Sequence, residues 1–176
     1  MKALTGFRLL LLGLWLGAAV FFIVVAQVAF ASLPARDLAG NIVSRTLAIL
    51  NYAGIGIALI AVLTSLIVPD GIRRIGVWAE RALLIIFGLA CAVSQFVISW
   101  WMLMVRTQMG KPIDEVAADD PLRIQFDNLH EYSAWLLLTA IAAALLTFVI
   151  LALRSAPVSA KKDALNNLDF QKQFKI

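Results

Sequence analysis

The chain has 176 residues, 62% of them hydrophobic and only 15% charged. Its mean hydropathy of +0.90 lies outside the range of a soluble globular domain. The net charge of +4 comes without a basic patch interleaved with stacking aromatics, so nothing points to a nucleic-acid partner.

Lys2 and Arg8 precede the first uncharged stretch, Leu9–Ala31. Gly13 and Gly17 give it a GxxxG spacing, which predicts close helix packing inside the bundle. Ala29 and Ala31 form an A-x-A pattern of the kind that ends signal peptides, but the apolar run is about twice the usual length of a signal core. A retained first span is therefore expected. Pro34 ends that helix, and Asp37 is placed to cap a second one over Leu38–Val68, uncharged over Thr46–Val68.

Pro69-Asp70-Gly71 signals a turn. The third helix opens with Arg73, Arg74, Glu80 and Arg81 among apolar residues, then runs uncharged over Ala82–Val105. Trp78 near one end and Trp100-Trp101 near the other fit interfacial aromatic belts. Gly110, Pro112 and the acidic run to Asp120 mark the longest loop. Asp120 can cap the next helix and Pro121 suits its first turn. Nothing stops that helix before Arg154. At 1.5 Å per residue it is roughly 50 Å long against a hydrocarbon core of ~30 Å, so its first turns stand outside the membrane.

The four uncharged stretches, the last being Tyr132–Leu153, each hold at least 22 residues and can span a bilayer. The loops are too short for a soluble domain. The expected fold class is an all-α integral membrane protein, a four transmembrane helix bundle over residues 1–154, followed by a polar, basic cytoplasmic tail over residues 155–176. Ten of the fifteen basic residues fall at the amino end, the second loop and the tail, and five in the other two loops. Lys and Arg favour the cytoplasmic side, which predicts both termini inside and contact of that face with anionic lipid.

Catalytic motifs are missing: there is no G-x-S-x-G, Walker A, H-E-x-x-H or CxxC pattern. A single histidine, His130, cannot provide both axial ligands of a bis-histidine haem, and Cys91 stands far from it in depth. None of the four uncharged stretches holds an acidic residue, which argues against a carboxylate proton relay. No cofactor, metal site or catalytic residue is expected, and the chain reads as a non-enzyme rather than an enzyme. Its expected partners are the lipid bilayer and other membrane protein subunits.

Polar side chains in the spans are unevenly placed. Gln27, Asn51, Gln95, Ser99, His130 and Ser133 all fall from the middle of a span toward its outer end. Gln95 and Ser99 are four residues apart and share a face, and His130 and Ser133 are expected to do the same at the head of the fourth span. Their ordinary use is to hydrogen-bond helices together, for ~0.6 kcal/mol each. Their sharper use is an outward-facing polar pocket at the bundle's mouth. Cys91, Gln95, Ser99 and Met102 also form one stripe, followed by Met104 and Met109, but methionine is an ordinary gap-filler, so packing is the expected role.

Three places resemble a known family: Leu10-Leu11-Leu12-Gly13-Leu14-Trp15-Leu16-Gly17 with Phe21-Phe22; Ala39-Gly40-Asn41-Ile42-Val43 with Tyr52 and Gly54; and Phe126, His130 and Ser133 after an acidic loop. On these residues the chain resembles the domain of unknown function 4149 family, the transmembrane protein 205-like four-span membrane proteins. It departs from that pattern at Leu137, where the family usually has asparagine, and near Arg106, where the family's proline has no counterpart. The resemblance implies four helices and a membrane location, and no reaction. A fainter likeness to copper-resistance membrane proteins implies metal handling. Three function classes stay open: a protein handling a small solute or metal at an outer-leaflet pocket, an accessory structural subunit of a larger membrane complex, and, least favoured because no nucleophile–base or ligand set is visible, a membrane enzyme or redox protein.

Overall fold

The computed structural model describes residues 2–66 and 74–155. Its helices are α1 (Lys2–Ser32), α2 (Arg36–Leu66), α3 (Arg74–Val93), α4 (Ser99–Met109) and α5 (Pro121–Ser155). A π-helical turn, Ser94–Ile98, joins α3 to α4, and a 3-10 turn, Ile113–Glu115, lies in the loop before α5. No strand occurs among the described residues. Four segments are long and apolar enough to cross a bilayer: Ala3–Ser32, Arg36–Leu66, Gly76–Met109 and Pro121–Arg154. The protein is an all-α, four-span integral membrane bundle, as the uncharged stretches predict.

The helices overrun those stretches because a charged side chain does not end a helix. What ends them is backbone chemistry. α1 stops at Ser32, just before Pro34. α4 stops at Gly110, whose φ of 61° is a left-handed cap open to glycine at little cost. Asp120 caps α5: the Leu122 amide donates to its Oδ1 at 2.8 Å, and Pro121 takes the first helical position. α2 corrects the expectation at its start. It begins at Arg36, so Asp37 lies inside the first turn, where its charge complements the helix dipole, and is not the cap. The Pro69-Asp70-Gly71 turn and the tail beyond Ser155 lie outside the described residues.

Around the bundle, α1 packs on α2 and α5, and the third span packs on the same two helices. Successive spans are therefore antiparallel neighbours, and α1 faces α3 across the diagonal. Leu12, Trp15 and Ala19 of α1 meet Ala58 and Ala61 of α2, Leu84, Phe87 and Cys91 of α3, and Ala140, Ala144 and Leu151 of α5 in one core. Trp15 crosses the diagonal. Its ring meets Phe87 edge-on at 4.6 Å, and its Nε1 donates to the Leu50 carbonyl at 3.0 Å. Phe21, Ile49, Leu63 and Leu153 point outward, as suits a lipid-facing surface.

Between membrane helices, packing rather than water exclusion provides most of the attraction, so close approach matters. It occurs where α2 meets α3. A Cβ on Gly54 would lie 2.6 Å from Cys91 Sγ and 3.0 Å from Trp15 Nε1, and one on Gly88 would lie 2.9 Å from Ala58 Cβ. The GxxxG pair of α1 behaves otherwise. A Cβ on Gly13 would meet the Phe148 ring at an ordinary 3.4 Å, and one on Gly17 would meet nothing within 4 Å. The spacing marks a face of the helix; which faces are covered is decided by the other three helices.

Candidate functional site

One group of polar side chains in the membrane interior meets at the π turn. In that turn the Ser99 amide bonds to the Ser94 carbonyl, five residues back, and Ser99 Oγ donates to the same oxygen at 2.9 Å. The wider turn holds one extra residue, which shifts the register between α3 and α4. Ser94 thereby faces the core, where Asn51 Nδ2 of α2 donates to its Oγ at 3.0 Å. Gln95 follows at the edge of the same layer, half-buried. Its Oε1 is enclosed and accepts no hydrogen bond. A buried acceptor without a donor is unusual enough in a folded protein to require an explanation.

Of the six polar residues singled out in the sequence, Asn51 and Ser99 are thus linked through Ser94, and Gln95 is its neighbour in the chain with no hydrogen bond to either. Ser133 is buried on the stripe that α5 turns inward, with Leu129, Ala140, Ala144, Thr147 and Leu151. His130 and Gln27 are exposed on the outside of the bundle. His130 and Ser133 therefore do not act as one face. Three residues along a helix leave two side chains about 60° apart, and the edge of the buried stripe passes between them. Ser94 itself was not picked out from the sequence, because a π turn shifts the register without a residue pattern that announces it. Met102 and Met109 pack against Ile98, Val105 and Leu129, as gap-fillers do.

A second polar assembly sits at the end of the bundle that carries the N-terminus. Arg8, on α1, is 2% exposed. Its Nη1 donates to Glu80 Oε1 at 2.8 Å, and its Nε donates to Thr64 Oγ1 of α2 at 2.9 Å. Glu80, on α3, is also 2% exposed, and its Oε2 accepts from Arg154 Nη1 of α5 at 2.7 Å. One turn of each of the four helices is tied together here, since Arg81 also donates to the Ser65 carbonyl of α2 at 2.9 Å. Arg8 and Trp15 are seven residues apart on α1, as are Glu80 and Phe87 on α3, so two parallel helices are bridged twice across the diagonal, once by charge and once by rings.

This cluster corrects the sequence reading. Glu80 stands two residues before the uncharged stretch Ala82–Val105, so a search of the stretches themselves passes over it. Helical continuity from Arg74 carries it into the packed bundle. The signal available was its isolation: one carboxylate among Arg73, Arg74 and Arg81.

Among the described residues no three His, Cys, Asp or Glu side chains converge as a metal site would require. A half-open depression of about 260 Å³ lies under the loop before α5, lined in part by Met109, Lys111, Glu115 and Asp120. It does not include any residue of the polar layer.

No curated protein and no solved structure matches the chain. A family model does match, over residues 10–111, under the description "Domain of unknown function (DUF4149)". The matched segment contains the first two places of resemblance and ends before Phe126, His130 and Ser133. Two of its residues, Trp15 and Gly54, meet at the tightest packing point of the core. With more than half of its length matched, in a four-span helical bundle, the chain belongs to the DUF4149 family.

Proposed function

We propose that this is a non-catalytic multi-pass membrane protein, with both termini cytoplasmic, that holds a small polar solute at the layer formed by Asn51, Ser94, Gln95 and Ser99. The observation that carries the reading is Gln95 Oε1, an enclosed acceptor with no donor, beside a π turn. A solute with an N–H or O–H group would supply that donor. The layer offers neutral amides and hydroxyls and no carboxylate or thiolate, so a polar organic solute suits it better than a metal ion. Such turns are frequent at functional sites. Support for the orientation is the ten-to-five distribution of basic residues. Under it, a cysteine at Asp114 reacts with an impermeant reagent added outside the cell and one at Lys161 does not; the reverse pattern would invert the topology.

The site is tested by thermal unfolding in mild detergent with a panel of small amines, amides and polyols. Gln95→Leu should keep the fold, because Oε1 gives up no internal hydrogen bond, and should lose any solute-dependent stabilisation of the parent. Suppose instead that Gln95→Leu is destabilised as much as Asn51→Leu and that no solute stabilises the parent. The layer is then helix-to-helix bonding alone, and an accessory role in a larger membrane complex becomes the better reading.

A further inference from the structure

We propose that the basic end of the bundle is a binding site for an anionic phosphate group, centred on Arg154, and that the phosphate is the headgroup of a membrane lipid or free phosphate. Arg8 and Arg154 converge there on a single carboxylate, Glu80, and Arg81, the next residue along α3, is turned to Ser65 of α2. Both oxygens of Glu80 are engaged, one by Arg8 at 2.8 Å and one by Arg154 at 2.7 Å. Arg81 is held by neutral oxygens of Ser65, and the remaining donors of Arg8 go to Thr64. Among the described residues, three guanidinium charges thus share one negative charge. At a membrane an excess of buried or half-buried cation is stabilised by an anion drawn to it.

Arg154 is the group that can reach that anion. Arg8 is closed off inside the bundle, whereas the Arg154 side chain is 25% exposed. Its Nη1 is committed to Glu80, but its Nη2 is buried and has no acceptor. Gly76 makes room for the guanidinium: a Cβ at that position would collide with Arg154 Nη2. Glu80 and Gly76 thus fix the plane of the guanidinium from α3, with Nη2 closed in beside Gly76, so that a phosphate oxygen approaches from the exposed quarter of the side chain and the enclosed Nη2 adds positive charge with no acceptor of its own. Phosphate oxygens suit a guanidinium fork better than they suit an ammonium, because the fork presents its donors at fixed angles.

The full chain is purified in mild detergent and mixed with vesicle lipid: phosphatidylglycerol, phosphatidylcholine, or, separately, inorganic phosphate. Thermal unfolding and lipid retention in native mass spectrometry are recorded. Phosphatidylglycerol should be retained over phosphatidylcholine and should raise the unfolding midpoint. Arg154→Gln should lower that preference about tenfold, the loss of one charge-assisted contact. Stabilisation by inorganic phosphate as well would assign the site to free phosphate; its absence assigns it to the lipid. If Arg154→Gln does not fold, Arg154→Lys keeps a positive charge for Glu80 but lacks the second fork nitrogen, and it should fold with a weakened preference. The proposal is overturned if neither phosphatidylglycerol nor phosphate does more than phosphatidylcholine, or if a folded Arg154 variant keeps the parent's preference.

Discussion

Arg8, Glu80 and Arg154 at one end of the bundle, and Arg36, Asp37, Arg106 and Asp114 at the other, are all charged residues at or near helix ends. Their surroundings differ. At the basic end, Arg8 and Glu80 are covered by protein on every side, and a third residue completes the set. At the loop end, the Arg36 and Asp114 side chains are 66% and 48% exposed, and the Arg106–Asp37 pair is about one-third exposed. Water and headgroups can replace a partner at the loop end; nothing can around Arg8 and Glu80. The same pairing chemistry should therefore carry different weight at the two ends, because the cost of losing a partner depends on what can take its place.

Glu80→Gln is the largest expected loss. It leaves Arg8 buried with no carboxylate, and removing one member of a buried pair costs about 3–5 kcal/mol. Unfolding in detergent by titration with a denaturing surfactant measures it. Replacing Arg8 and Glu80 together by Met and Leu should recover part of that loss, since an apolar pair has no charge to strand. A Glu80→Gln variant as stable as the parent would mean that the two ends are equivalent, and the comparison would fail.

Packing ranks next, and here the contrast is between α2 and α1. Gly54→Ala pushes a methyl group against Cys91 and Trp15, which should cost about 1–3 kcal/mol as other overpacked cores do. Adding Cys91→Ala should relieve part of it, because Sγ is the nearest atom. Gly17→Ala should change nothing measurable, since the space beside Gly17 is open. A large loss at Gly17 with none at Gly54 would mean that the GxxxG face of α1 is covered by a second molecule.

How legible these features were in the sequence depends on the range of the physics involved. Span number and helix boundaries come from local rules: runs of apolar residues, Pro34, Gly110, and the Asp120–Pro121 cap. Each is decided within a few residues, and Pro34, Gly110 and Asp120–Pro121 do mark helix ends, whereas Asp37 falls one residue inside α2. Glu80 shows the limit. A charge two residues outside an apolar run reads as interfacial, and only its contact with Arg8, 72 positions away in the chain, makes it a core residue. Ser94 shows another limit, because the stripe of Gln95 and Ser99 assumes an unbroken 3.6-residue period, and the π turn breaks it. Gly54 matters because of Cys91 and Trp15 on two other helices, which no spacing within α2 can reveal.

Arg106 gives the smallest effect and the sharpest control on the comparison. Arg106 Nη2 donates to Asp37 Oδ1, and its Nη1 donates to Asn41 Oδ1 at 3.3 Å, so it joins α4 to the first turns of α2. On a drawing these contacts look as rich as those of Arg8. Their setting is different: Asp37 without Arg106 still has the dipole of α2 and open access to water. Exposed pairs of this kind contribute roughly 0–1 kcal/mol, and salt screens them. Arg106→Gln should therefore cost less than about 1 kcal/mol, and raising the salt concentration should shrink even that difference. The same salt series should leave the loss in Glu80→Gln nearly unchanged, because the ions that screen Arg106 cannot enter the space around Arg8. If Arg106→Gln instead matches Glu80→Gln in size and in its indifference to salt, then the loop end is as closed as the basic end. Exposure in the isolated bundle would then be a poor guide to what surrounds Asp37 in the membrane.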